Sequence, residues 1–217
     1  MEQGNSAVIV TVKGTNILVD CGHSVFPTLV KKDLLKDIDA VLVTHFHDDH
    51  VGSLSSLILF HDLILQKGPL KIIVPNSTFQ SQIEDFLSFS LGRKHGRVDF
   101  RPLYEYPFIA VIDTRDLHVQ GMQTWAYVFI DDSESIAFSG DLGQPAPFFE
   151  TLRALDLPGL RVFHEATFFP GIGAHTYYKE LEAYLDEFDI YAYHCWLPKR
   201  PADLKLKLVA DHPELLA

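Results

Sequence analysis

Apolar side chains recur along this chain in two rhythms, every second position and every third to fourth, and the rhythms alternate from one end to the other. Residues 7–12 and 16–20 read as short strands flanking Lys13-Gly14-Thr15, a hairpin. A helix near 27–36 follows, then a buried strand over 40–44. Beyond the polar run His45-Phe46-His47-Asp48-Asp49-His50 come a helix near 51–65, a strand over 71–74 and a helix over 77–89, for which Asn76-Ser77 offers a cap. From residue 98 strands dominate, at about 98–103, 108–112, 117–120, 124–130 and 135–139. The segments 147–155, 176–188 and 202–210 then read as helical, with 161–165 and 190–194 extended. Two halves of similar mixed make-up predict an α/β fold, with two sheets face to face and helices outside in a four-layer αββα sandwich. No linker or compositional break divides the chain, so residues 1–217 read as one domain.

Composition narrows the class. With 47% apolar and 22% charged residues in 217, a core can form without disulfides, and two cysteines are too few for a disulfide framework. Cys21 and Cys195 read as reduced thiols of a cytoplasmic protein. The most apolar stretch, 51–65, is interrupted by Ser53, Ser55, Ser56, His61 and Asp62, and the first residues lack a basic run before an apolar one. Neither a membrane span nor a secretory signal is expected. Eighteen basic residues against 29 acidic ones leave a formal charge of −11, which disfavours long nucleic acid as a partner. A small anionic substrate stays open, because divalent ions reverse the local field of a site built from carboxylates.

The eleven histidines concentrate attention on residues 45–50. Four candidate ligands, His45, His47, Asp49 and His50, follow directly on a buried strand. His45 and His47 are two apart, so extended backbone points them the same way and they can share one ion. Asp49 and His50, past the bend, can serve a second. Imidazole and carboxylate without thiolate suit zinc, with manganese or iron as alternatives. Two such ions supply an activated water at neutral pH and neutralise charge on a substrate oxyanion, so the expected reaction is hydrolysis.

Those residues match the HxHxDH motif of the metallo-β-lactamase superfamily. The match continues in order through Asp20 in ILVDCG, His118, Asp141 in FSGD and His194 in YAYHCWLP, nearly the whole chain. The resemblance implies that His45, His47 and His118 hold one metal, that Asp49, His50 and His194 hold the other, and that Asp141 bridges both. It implies for Asp20 a supporting role, orienting a ligand histidine. His164-Glu165-Ala166-Thr167-Phe168, with Ala174-His175-Thr176 further on, resembles the HEATF and AxxxHST elements of RNase Z-like phosphodiesterases. In that branch the glutamate and the later histidine pair, and the histidine donates a proton to the leaving oxygen. The physics agrees, since a carboxylate beside an imidazole favours the imidazolium. Asp49, Glu165 and His175 are therefore the expected catalytic residues, and His164, on the opposite side of its strand from Glu165, reads as structural.

Within the branch, tRNA-processing RNase Z enzymes carry a long basic arm between the equivalents of His118 and Asp141, where this chain has only residues 119–140. The acidic balance, the short interval and the retained acid pair favour a small nucleotide, and the chain is similar to compact cyclic nucleotide phosphodiesterases such as phage anti-Pycsar enzymes. The expected reaction is hydrolysis of a 3′,5′-cyclic nucleotide to the linear monophosphate. The alternative is an RNase Z-like endonuclease acting on tRNA or other nucleic acid. A homodimer is expected from the branch and from the apolar face of 51–65. The basic cluster Gly92-Arg93-Lys94-His95-Gly96-Arg97 with Arg101 reads as a solvated turn or as a substrate-side lip. Phe168, Phe169, Tyr177 and Tyr178 can stack on a base or pack a dimer seam.

Overall fold

The computed structural model describes residues 4–92 and 96–215 and divides into two compact units, Met1–Phe108 and Ile109–Ala217. The first holds a five-stranded sheet in the order β1-β2-β3-β4-β5. Its strands are β1 (Val8–Val12), β2 (Thr15–Val19), β3 (Ala40–Leu42), β4 (Leu70–Val74) and β5 (Val98–Pro102). β1 and β2 form an antiparallel hairpin with Val12 opposite Thr15. Its turn is therefore two residues, Lys13 and Gly14, both at positive φ (47° and 76°), and Thr15 belongs to the strand. The remaining pairs are parallel. All three residues of β3 are buried, as expected for a central parallel strand covered on both faces.

Helices α1 (Val25–Lys31), α2 (Asp48–Val51), α3 (Leu54–Leu59) and α4 (Ser77–Leu91) complete this unit. The Asn76 side chain accepts from Phe79 N at 2.9 Å, so α4 starts where its cap predicts, and Phe79, Ile83 and Leu87 bury one face. The continuous helix expected over 51–65 is instead three pieces, α2, α3 and a π-helical turn at Phe60–Ile64. The first helix ends at Lys31, and Asp33 at φ 57° separates it from a 3₁₀ turn at Leu35–Asp37.

The second unit holds a six-stranded sheet, β11-β10-β9-β8-β7-β6. Its members are β6 (Ile109–Asp113), β7 (Trp125–Phe129), β8 (Ile136–Phe138), β9 (Arg161–Glu165), β10 (Asp189–Tyr193) and β11 (Lys207–Leu208). β6, β7 and β8 pair antiparallel, and β8 through β11 run parallel. Helix α5 (Ala146–Leu155) lays Phe148, Phe149 and Leu152 into a core shared with Val128, Val162 and Ile190. Helix α6 (Tyr178–Leu181) is one turn followed by a 3₁₀ turn, shorter than the helix expected over 176–188.

Two expected elements differ in kind. The strand expected over 117–120 is a turn, folded by Leu117 N donating to Thr114 O (3.0 Å) and Met122 N to Val119 O (3.1 Å). The helix expected over 202–210 holds β11 and a 3₁₀ turn, because Leu206 and Leu208 bury while Lys205 and Lys207 face solvent, the period of a strand. Arg93, Lys94 and His95 lie outside the described residues. Arg97 pairs with Asp62, and Arg101 with Asp99 (2.7 Å) and Glu105 (3.6 Å), so these two cations already have carboxylate partners. Among the described residues no helix is long and apolar enough to cross a membrane.

Candidate metal centre

In the first unit the loop after β3 carries Thr44, His45 and His47, and α2 carries Asp49 and His50. This corner is set by backbone contact. Cys21 N donates to His50 O (2.7 Å), Ser53 N to Cys21 O (2.9 Å), and a Cβ on Gly22 would lie 1.8 Å from the Asp49 carbonyl oxygen. Only glycine allows that approach.

Asp20 follows β2 at φ 65° with its carboxylate fully buried. It accepts from Thr44 N (2.7 Å) and Thr44 Oγ1 (2.8 Å) and contacts His50 Nδ1 (2.7 Å). Burial pushes its carboxyl above the ordinary range, while His50 and Thr44 pull it down. Because the Thr44 hydroxyl spends its one proton on Asp20, it can only accept from His45 Nδ1, 2.9 Å away. His45 and His50 are thus both protonated at Nδ1 and present the Nε2 lone pair, the form a metal ligand needs. His45 Nε2 lies 3.0 Å from His47 Nδ1, close enough to share one ion, and His50 Nε2 lies 3.6 Å from Asp49 Oδ2.

In the second unit His118 sits in the turn after β6, where its Nδ1 donates to the Ala174 carbonyl at 2.5 Å and Nε2 again presents its lone pair. Asp141 follows β8 and Glu165 ends β9, with side chains 1% and 0% exposed. His194 follows β10 at φ 62°. Asp141, Glu165, His175 and His194 each offer one ligand atom, all within 4.8 Å of one another. Two buried carboxylates so close call for positive charge, and with imidazoles beside them the donors fit a divalent ion. The second unit therefore brings His118, Asp141, Glu165, His175 and His194 into one neighbourhood, and the first unit does so for His45, His47, Asp49 and His50.

Glu165 divides its two oxygens. Oε1 accepts from Thr176 N (2.8 Å) and Leu142 N (3.3 Å), while Oε2 lies 3.3 Å from His175 Nδ1. That contact raises the affinity of His175 for a proton, against the opposing effect of burial. The His175 loop is clamped further by Thr176 Oγ1 donating to Leu142 O (2.7 Å) and by Gly143, on which a Cβ would stand 1.9 Å from the Gly173 carbonyl oxygen. His164 faces the other way, stacked on Phe149 (5.6 Å, 6°) and edge-on to Phe148, and burial keeps it neutral.

Three residues that build the site, Thr44, Gly143 and Thr176, carry no role in the sequence reading. Thr44 and Thr176 were visible as neighbours of ligands, but the carbonyl that holds His118 is 56 residues away and carries no local signal. The two cysteines are free, and burial pushes both thiols up to about 12.

The sequence profile of the family described as "Anti-Pycsar protein Apyc1" matches residues 1–196. An anti-Pycsar protein Apyc1 of Bacillus phage BSP38 is 31% identical over 206 residues, covering 85% of this chain and 78% of the relative. Among solved structures, the metallo-β-lactamase fold protein YhfI of Bacillus subtilis matches with TM-score 0.66 and 17% identity over 88% of this chain and 79% of that one. The short form of human tRNase Z matches with TM-score 0.64 and 17% identity over 88% and 86%. These neighbours bear out the expected metallo-β-lactamase fold, with its two sheets in a mixed α/β chain. By the profile match and by its likeness to the phage protein, the chain belongs to the anti-Pycsar Apyc1 family.

Proposed function

We propose that this chain is a dinuclear phosphodiesterase that hydrolyses a 3′,5′-cyclic nucleotide to the linear monophosphate. The observation that carries the reading is the split Glu165 carboxylate, one oxygen pinned by two backbone amides and the other against His175. A proton donor held this way serves a poor, alkoxide leaving group. The seven residues His45, His47, Asp49, His50, His118, Asp141 and His194 would hold two divalent ions, zinc by donor type with manganese as the alternative. Bound there, two such ions would supply Lewis-acid polarisation of the phosphoryl oxygens and an activated water.

The remaining work falls to the chain. Asp20 and Thr44 keep His50 and His45 protonated at Nδ1 with the Nε2 lone pair presented, and Asp49 takes the proton of the attacking water. As the phosphorus gains the water oxygen and its bond to the ribose oxygen breaks, His175 gives its proton to that oxygen. Glu165 stabilises the imidazolium beforehand and reprotonation resets it. A cyclic phosphodiester carries one negative charge, so no extended basic surface is required, and the −11 balance is no obstacle. Such a substrate sets the work in the cytoplasm.

The test is a panel offered to metal-loaded protein: cyclic mononucleotides, cyclic dinucleotides, a precursor tRNA and a nitrophenyl phosphodiester. Cyclic mononucleotides should be turned over with the highest kcat/KM. Faster cleavage of precursor tRNA than of every cyclic nucleotide at physiological salt would replace this reading with the nuclease one.

A further inference from the structure

The second unit carries an exposed aromatic pair that the chemistry above leaves unused. β9 and β10 run parallel with Glu165 paired to Tyr193, so the loops that follow them leave the same end of the sheet side by side. The first loop contains Phe169 and His175, the second His194 and Trp196. Along the second loop Trp196 faces solvent while Cys195 and Leu197 pack on the core, and the His194 ring turns toward Asp141 and Glu165, 3.8 Å from each. Trp196 is 53% exposed, and the partly exposed Phe169 ring stands 5.7 Å from it at 41°. Ile172, also exposed, lies in the first loop and its carbonyl accepts from His175 N at 3.0 Å.

The other aromatic side chains considered for stacking are already engaged. Phe168 is buried edge-on to Tyr178, Tyr178 is buried with its hydroxyl donating to Asp203 (3.2 Å), and Tyr177 packs on Tyr178 at 4.8 Å. What is left is an indole face in water, two residues from His194. Two residues of chain span at most about 7 Å between Cα atoms, within the separation of base and phosphate in one mononucleotide once the side chains extend from them.

Resting on the phosphodiesterase reading, we propose that Trp196, edged by Phe169, is the platform on which the nucleobase of the substrate stacks. The two loops then hold the two ends of one small nucleotide, base on Trp196 and leaving oxygen at His175. A stacking face reads the presence of a base and not its edge, so purines and pyrimidines are both accepted, purines more tightly for their larger face.

Metal-loaded wild type, Trp196→Ala and Trp196→Phe are compared on 3′,5′-cyclic AMP, 3′,5′-cyclic UMP and a base-free 1-deoxyribose 3′,5′-cyclic phosphate. Trp196→Ala should raise KM for both nucleotides about 5- to 100-fold, keep kcat within about twofold and leave the base-free compound unaffected. Trp196→Phe should recover most of the loss. Equal damage on the base-free compound, or unchanged KM on the nucleotides, overturns the proposal. A second readout does not depend on turnover. Of the two tryptophans Trp125 is buried, so fluorescence quenching by a titrated nucleoside monophosphate reports Trp196. Saturable quenching that ribose 5-phosphate does not reproduce and that Trp196→Phe abolishes supports the platform, even if no cyclic nucleotide is hydrolysed and the catalytic reading falls. Absence of quenching overturns the platform even if hydrolysis is fast.

Discussion

Three histidines present the same nitrogen by three different devices: a threonine hydroxyl behind His45, a buried carboxylate behind His50 and a main-chain carbonyl behind His118. The first is the easiest to break. Thr44→Val removes the acceptor for His45 Nδ1 and a donor to Asp20, so metal affinity should fall about 10- to 100-fold by competition titration, with Thr44→Ser close to wild type. At the acid, His175→Ala should lower kcat about 100-fold or more on a substrate with an alkoxide leaving group and leave metal content intact by elemental analysis. A nitrophenolate leaving group should recover much of that loss, and unchanged activity on the alkoxide substrate would remove His175 from its role. The candidate ligand run was legible in the sequence because four donor side chains crowd into residues 45–50, and Glu165 and His175 were legible as motif residues. The hydroxyl and carbonyl behind the ligands were not, because the sequence shows which side chains are present and not which of them meet in space.

Strands were legible where short apolar runs are buried, as in β3 (Ala-Val-Leu) and the Ile-Ile-Val end of β4, because such runs suit little else so short. The turn holding His118 was misread as a strand because Leu117 and Val119 flank a histidine in apparent alternation, while Thr114 and Thr124, joined by their hydroxyls at 2.9 Å, close the loop before pairing can continue. At the Gly143 crossing, Gly143→Ala must push the loop of residues 173–175 outward. A displacement of about 1 Å costs on the order of 100-fold in rate, so kcat on an alkoxide substrate should fall by about 10- to 100-fold while metal content holds. A further contact ties α5 to the turn before β10, where Arg153 meets Glu187 (2.6 and 3.0 Å) above the rings of Tyr184 and Phe188. Glu187 is held below the ordinary glutamate range by Arg153. Its contribution is therefore present above the unfolded value and lost as pH falls through the folded one. The Tm gap between wild type and Arg153→Ala should be small at neutral pH and close under acid conditions.

At the scale of the molecule, Leu59, Leu63 and Ile64 stay exposed on the helical segment of the first unit. We propose that a second copy covers them in a homodimer. Light scattering at micromolar concentration should give twice the 24.5 kDa chain mass, and Ile64→Glu should return it to one. His194 is held in the left-handed region at φ 62°, at a cost of about 1–2 kcal/mol that glycine would not incur. In metal-free protein His194→Gly should raise Tm by a few degrees, while the enzyme it yields is inactive. A library sorted for heat tolerance alone would therefore enrich dead variants at this position, and thermal robustness is a misleading proxy for fitness in this lineage.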